Sequence, residues 1–294
     1  MGRLNPQAFA DAFAQWAQQM LPEMQAQHIA IDGKSLRGSR DGERSAMHLL
    51  SAYATQARVV LAAQAIPDKA NEITAIPQLL GALELRGALV SIDAMGCQKS
   101  IAQAIVEQGA DYVLALKDNH PTLCDDVALW LQSQDRQGHV KVHESVGKDH
   151  GRIEKRRTVV STELSWLASR PEWAHLNALA MVESTRRIGD KESTERRYYL
   201  CSITDAKRIA QSIRDHWRIE NEQHGVLDVQ FGEDGNRTRT NHSAINLGLI
   251  RRAALNLLRH ADGPAAKRMS IRRRQRCALM LPSYREQVLF GVSE

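Results

Sequence analysis

Three acidic residues stand where the sequence pattern would let a carboxylate meet a ligand. Asp32 closes the short apolar run HIAID and is followed by Gly33. Asp93 closes VSID and enters a turn containing Gly96, and Glu220 lies in the stretch IRDHWRIENEQHGVLDVQF. Strand carboxyl ends in open α/β sheets face the ligand crevice. If the two strands are neighbours and the later helix packs across them, three carboxylates converge. Hard oxygen donors of that kind suit Mg2+ or Mn2+. Two such ions about 3.5–4 Å apart stabilise both the attacking and the leaving oxygen of an in-line phosphoryl displacement. An aspartate before a glycine is equally an ordinary turn former, and with 34 acidic residues in the chain spacing alone does not separate the two readings.

The elements that would have to position these acids are legible in the apolar periodicity. Residues 4–25 carry Phe9, Phe13, Trp16 and Met20 at helical spacing. HIAIDGKSLRGS reads as a strand ending in a turn, and MHLLSAYAT and RVVLAAQAI as a hairpin pair. Helical period returns over 71–85; ALVSIDAMG reads as a buried strand, 99–107 as a helix, DYVLALK as a strand, and a helix follows Pro121. This order predicts an α/β fold whose central strands are covered by helices. Between about 135 and 203, VKVHESV, RRTVVSTEL, ALAMVESTRRI and RRYYLCSI alternate with polar turns, which predicts a mainly β insertion before Glu220. Helices are expected over 207–224 and 243–260, with a break at Asp262, Gly263 and Pro264.

Composition narrows the classes. The 294 residues are 43% apolar and 25% charged, enough for a packed core and unlike a disordered chain. No apolar run approaches the ~18 residues of a membrane span, and the first residues do not read as a signal peptide. The four cysteines are scattered singly, which argues against a zinc site or disulfide framework and favours a reducing cytoplasm. The net charge of +5 is uneven: residues 251–276 hold nine basic side chains against Asp262 alone, a local balance of +8 on an otherwise mildly acidic body. A basic arm of this kind points to a polyanion, most simply nucleic acid; its alternative is a solvated helix face.

The blocks IAIDGKSLRGS, PDKANEITAIPQLL, VSIDAMGCQ, DYVLALKDNHPTL, HGRIEKRRT, RYYLCSI, HWRIEN, LDVQFGED and NLGLIRRAALNLLRH follow one another in this chain. In that order, from near residue 4 to near residue 260, the chain resembles the H-repeat-associated transposases, bacterial insertion-sequence enzymes of the DDE class. The resemblance implies a ribonuclease H-like mixed sheet flanked by helices, with a β insertion before the third acid. It implies Asp32, Asp93 and Glu220 as the catalytic, metal-holding triad, with Mg2+ (or Mn2+) as cofactor. It further implies double-stranded DNA, both element ends and target, as partner, a homodimer on that DNA, neither a membrane nor a small-molecule substrate, and a cytoplasmic, nucleoid-associated location. On this reading residues 1–27 are a helical segment left from a longer N-terminal region, 28–260 the catalytic domain and 261–294 a basic tail. Two alternatives stay open: a ribonuclease H-like nuclease without strand transfer, and a truncated, inactive relative that only binds DNA.

Around Glu220 the chain departs from the wider hairpin-forming signature. Ile213, His216 and Leu227 stand where that signature has Tyr, Arg and Lys, while Trp217 and Ile219 conform; Gly225 replaces an expected Trp. For DNA contact the candidates are Lys34 and Arg37 after the first aspartate, Lys117 at a strand end, Arg152 in the insertion, Trp217, Arg237 and Arg239, and Arg272, Arg273 and Arg274 in the tail. For Lys34 and Arg37 the plainer alternative is a solvated loop, for Arg152 plain surface charge, and for the tail arginines a solvated helix face. Asn119 suits a turn before Pro121. His150, Arg152 and Glu154 lack the ligand spacing of a zinc site. His224, one helical turn after Glu220, reads as its support or as a structural histidine. Glu233 and Asp234 precede Arg237 and Arg239 and read as internal ion-pair partners or as a further support behind the metal ligands, and Asp228 is the substitute ligand if Glu220 is misassigned.

Overall fold

A computed structural model describes every residue except 22, 25–26, 43–44, 67–71, 150–151, 262–267 and 292–294. The helices are α1 (Pro6–Gln18), α2 (Glu72–Gly81), α3 (Lys99–Glu107), α4 (Pro121–Arg136), α5 (Ala206–His216), α6 (Gly225–Phe231), α7 (Ser243–His260), α8 (Ile271–Met280) and α9 (Pro282–Phe290). The strands are β1 (His28–Ser35), β2 (His48–Ala54), β3 (Val59–Ile66), β4 (Leu89–Ile92), β5 (Asp111–Leu116), β6 (Lys141–Asp149), β7 (Arg152–Ser161), β8 (Ala178–Ile188) and β9 (Lys191–Cys201). They form one mixed sheet in the order β3-β2-β1-β4-β5-β9-β8-β7-β6. β1, β4 and β5 are parallel neighbours, and β6 to β9 continue the sheet as an antiparallel meander. The mixed sheet flanked by helices, with the antiparallel strands β6–β9 inserted before Glu220, is the α/β arrangement expected. In the register, Ile31 lies opposite Ile92, and each is followed in the chain by an aspartate, Asp32 and Asp93.

The chain packs as two compact units. The first comprises Met1–Pro22, Asp32–Leu83 and Arg218–Glu294, and the second Glu23–Ile31 and Glu84–Trp217. In the first unit α1 starts at Asn5, whose Oδ1 accepts from the amides of Gln7 and Ala8 at 2.9 and 3.1 Å, with Pro6 at the first helical position. Its Ala10, Phe13, Ala14 and Ala17 are buried, a three- and four-residue spacing that forms one apolar stripe. The helix ends at Gln18, shorter than the sequence period suggests. β2 is buried at every position, so it has no solvent face, and its polar residues His48 and Ser51 are buried with the rest. α7 crosses β3, where the Asn256 amide donates to the Val60 carbonyl and accepts from its amide, both at 2.9 Å. A buried side-chain amide that completes a strand's backbone bonds fixes the helix on that strand.

In the second unit α5 begins at Asp205, whose side chain accepts from the Arg208 amide at 2.6 Å. Ala206, Ile209 and Ile213 pack into a core with Leu89, Val113, Val160, Ala180 and Tyr199. Each large aliphatic group so buried contributes ~1.5–3 kcal/mol. This helix ends at His216 rather than 224. Ile219–His224 is a π-helical turn, and α6 follows.

Where the sequence suggests a basic tail, α8 and α9 form, with Val288 packed against Leu258 and Ala261 of the α7 end. Arginines interrupt the apolar period there and hide the helices from it. The expected break at 262–264 lies outside the described residues.

Candidate active site

Asp32 lies in the middle of β1. Because strand side chains alternate, Asp32 and Lys34 share one face, and Gly33 and Ser35 the other. Asp32 is mostly buried, with Oδ2 3.4 Å from the His224 Nδ1. His224 ends the π-helical turn that carries Glu220; Ile219, Gln223 and His224 are buried and Glu220 is exposed. The extra residue of a π turn rotates these side chains away from α-helical positions, so His224 addresses Asp32 rather than serving Glu220 one α-turn away.

A second acid fixes this turn. Glu222 accepts from Tyr53 Oη at 3.0 Å, Arg58 Nε at 2.8 Å and Arg218 Nε at 2.9 Å, while Arg259 donates to the Glu222 carbonyl and, at 3.1 Å, to Tyr53 Oη. Burial pushes the Glu222 carboxyl up, but the Arg218 hydrogen bond, the Arg58 and Arg218 charges and the Tyr53 hydroxyl together hold it below the usual range. Burial in turn raises the Tyr53 phenol to about 12. Sequence inspection passed over Glu222. Its signal was an Arg–Glu pair four apart, Arg218 and Glu222, straddling the candidate Glu220.

Lys34 does not face solvent. Only 9% exposed, its Nζ lies 2.8 Å from Asp228 Oδ1 and 2.9 Å from Asp234 Oδ1. This internal ion pair engages both the lysine expected to reach phosphate and the aspartate weighed as a substitute ligand. Arg37 is exposed, with Nε 3.5 Å from Asp234. Glu233 and Asp234 do not pair with their sequence neighbours: Glu233 holds the fully buried Arg252 at 2.9 Å, and Asp234 holds Lys34. Arg237 and Arg239 are exposed, Arg239 donating to the Gly38 carbonyl at 3.3 Å. In α8, Arg272 and Arg273 are exposed, whereas Arg274 is buried and donates to the carbonyls of Leu258 and, at 3.0 Å, Arg259. Arg252 and Arg274 are thus structural members of the basic segment.

In the second unit Asp93 caps a single 3-10 turn, Ala94–Gly96. Its Oδ1 accepts from the amides of Met95 and Gly96 at 3.1 and 3.3 Å. The turn-forming role is therefore realised, on a half-buried carboxylate. Beneath it, Ser91 Oγ lies 2.8 Å from both His28 Nε2 and His216 Nδ1. Burial lowers the His216 pKa to about 4. Lys117 is exposed at the end of β5, 3.5 Å from Asp118. Asn119 and His120 bind the Cys97 carbonyl at 3.2 and 2.7 Å, a turn role. Trp217 is 40% exposed, with the Arg197 guanidinium 4.8 Å above its ring. Glu154 is buried between Arg156 at 2.5 Å and Arg186 at 3.1 Å. His150 and the Arg152 side chain lie outside the described residues.

Asp32 and Glu220 thus belong to the first unit and Asp93 to the second. Among the described residues, no three His, Cys, Asp or Glu side chains are grouped closely enough to hold a metal ion. No helix among them is long and apolar enough to cross a membrane.

The model of the transposase DDE domain family matches residues 23–257 of the chain. A protein named "H repeat-associated putative transposase YhhI" from Escherichia coli K12 is 34% identical, over 98% of this chain and 78% of its own length. An uncharacterized protein in the dhlA 3′ region of Xanthobacter autotrophicus is 44% identical over 68% of this chain and 69% of its own. Among solved structures, the piggyBac transposase synaptic complex with hairpin DNA aligns with a TM-score of 0.44 and 13% identity, covering 92% of this chain and 58% of that one.

Proposed function

The chain belongs to the transposase DDE domain family, and on that premise we propose that it cuts phosphodiesters at the ends of a DNA element and joins the 3′ hydroxyl ends to target DNA. The observation that carries this reading is the β1–β4 register: Ile31 and Ile92 are partners on adjacent parallel strands, and each is followed by a triad aspartate.

Asp32, Asp93 and Glu220 would hold the divalent ions. Their donor chemistry fits, since all three supply the carboxylate oxygens that Mg2+ and Mn2+ prefer. Asp93 is fixed at its turn by the amides of Met95 and Gly96, which donate to Oδ1, and Glu220 is exposed. When bound, such ions lower the pKa of water and neutralise charge on the transferring phosphate. The chain's own residues do the rest. Glu222 and its three arginines fix the turn that presents Glu220, and His224 orients Asp32. The exposed Arg37, Lys117, Arg237, Arg239, Arg272 and Arg273 supply phosphate contacts on DNA, the exposed face of Trp217 packs beside the backbone, and two copies act together on paired ends.

The test is Mg2+- or Mn2+-dependent nicking and joining of DNA carrying element ends. Alanine at 32 or 93 should abolish turnover while DNA binding persists; turnover in both variants would remove the assignment. Nicking without joined products would favour a nuclease. Salt-sensitive binding without any metal-dependent turnover would favour a DNA-binding relative.

A further inference from the structure

Gly33 follows Asp32 directly, and its side of β1 is occupied by a buried polar pair. A methyl group at Gly33 would overlap both His48 Nε2 and Glu72 Oε1 and come within 3.0 Å of His48 Cδ2. The strand backbone therefore lies against a hydrogen bond, that between His48 Nε2 and Glu72 Oε1, at 2.5 Å. On the other edge of the ring, His48 Nδ1 is 3.0 Å from Ser35 Oγ. His48 is 2% and Glu72 3% exposed.

Three elements meet here: the end of β1, the first residue of β2 and the first residue of α2. Glu72 sits in the first turn of that helix. One ring nitrogen of His48 meets the Glu72 carboxyl and the other the Ser35 hydroxyl, so the hydrogen bonds join β1, β2 and α2 in one chain, Ser35–His48–Glu72.

A buried ionisable pair costs desolvation that an apolar pair would not, so it makes a poor stabilising device at this position. Its placement is specific, however. Gly33 and Ser35 face the pair, while Asp32 and Lys34 point to the opposite face, toward His224 and the Asp228–Asp234 carboxylates. The relay presses on β1 from behind the residue that carries the candidate ligand.

We propose that Ser35, His48 and Glu72 form a positioning relay that sets the Asp32–Gly33 backbone so that the Asp32 carboxylate is held ready for a divalent cation. The inference rests on the reading of Asp32 as a metal ligand. Groups that orient a metal ligand in this way change affinity or activity about 10–100-fold when altered. Glu72→Gln keeps the shape and removes the charge; Gly33→Ala drives a methyl into the relay; Gly33→Ala with His48→Ala removes the ring from that overlap and leaves Glu72 Oε1, the far end of a flexible side chain, room to swing into the vacated space, without restoring the relay.

The experiment measures Mn2+ binding to the full chain by electron paramagnetic resonance of the free ion, half-saturating Mn2+ for plasmid nicking, and the urea midpoint without metal. Glu72→Gln and Gly33→Ala should weaken Mn2+ about tenfold or more in protein that still unfolds cooperatively, and the double variant should stay weak. Unchanged Mn2+ affinity in folded Glu72→Gln, or recovery in the double variant, would show a packing role alone and overturn the relay. Asp32→Asn separates the two claims. If it loses Mn2+ while Glu72→Gln keeps it, only the relay falls; if it, too, binds Mn2+ like wild type, or if wild type binds none, the ligand reading falls and the relay with it.

Discussion

Replacing Lys34 by methionine separates an internal ion pair from a DNA contact at one position. The ammonium is 9% exposed and lies within 2.9 Å of two carboxylates that are 32% and 27% exposed. Removing one partner of a fully buried pair costs ~3–5 kcal/mol. Both aspartates retain some water here, so the loss is smaller, about 2–3 kcal/mol after solvent screening. The two carboxylates are also left facing one another without a counter-charge. Urea unfolding should therefore show a lower midpoint with an unchanged slope, and the deficit should shrink in 1 M salt, where the Debye length is ~3 Å. DNA affinity measured against salt should keep its slope, because a lysine committed to aspartates releases no counterion. A stability change within ~0.5 kcal/mol, joined to a salt slope reduced by about one, would refute the ion pair and restore Lys34 to the DNA surface.

Other outcomes follow from the same reasoning. Arg252→Met should cost ~3–5 kcal/mol in urea unfolding, because it strands Glu233 without water, and adding Glu233→Leu should recover most of that loss. Burial lowers the His216 pKa to about 4 from 6.5, so between those values the unfolded chain binds more protons. Stability is then full above about pH 6.5 and declines as pH falls toward 4; His216→Gln should flatten that decline in urea midpoints followed across pH. Alanine at both Arg272 and Arg273 should lower the salt slope of DNA binding by about two without moving the unfolding midpoint.

Much of the fold was legible because its elements carry clean periods. The helices over 99–107 and 243–260 fall at the bounds read from the sequence, and the hairpin of β2 and β3 is as expected. The strand-end position of Asp93 was legible for the same reason, since it closes an apolar run; Asp32 closes one too, but β1 continues past it to Ser35 in polar residues that the apolar pattern does not mark. The π-helical turn was not, because one inserted backbone residue leaves the apolar pattern almost unchanged while it redirects His224. Nor were the fates of Lys34, Arg252 and Arg274. A charge count treats every cation as solvated, whereas Lys34 is claimed by acids 194 and 200 positions away. The His48–Glu72 pair left one trace, a glycine directly after a candidate ligand, and its meaning depends on which side chains the fold brings behind it.

The most direct measurement puts Fe2+ in place of Mg2+, adds ascorbate and peroxide, and maps by mass spectrometry where the short-lived radicals break the chain. Breaks clustered around residues 32, 93 and 220, suppressed by excess Mg2+ and lost in Asp32→Asn, are the predicted result. Breaks at one of these stretches without the others, or a pattern indifferent to Asp32, would contradict a shared metal site.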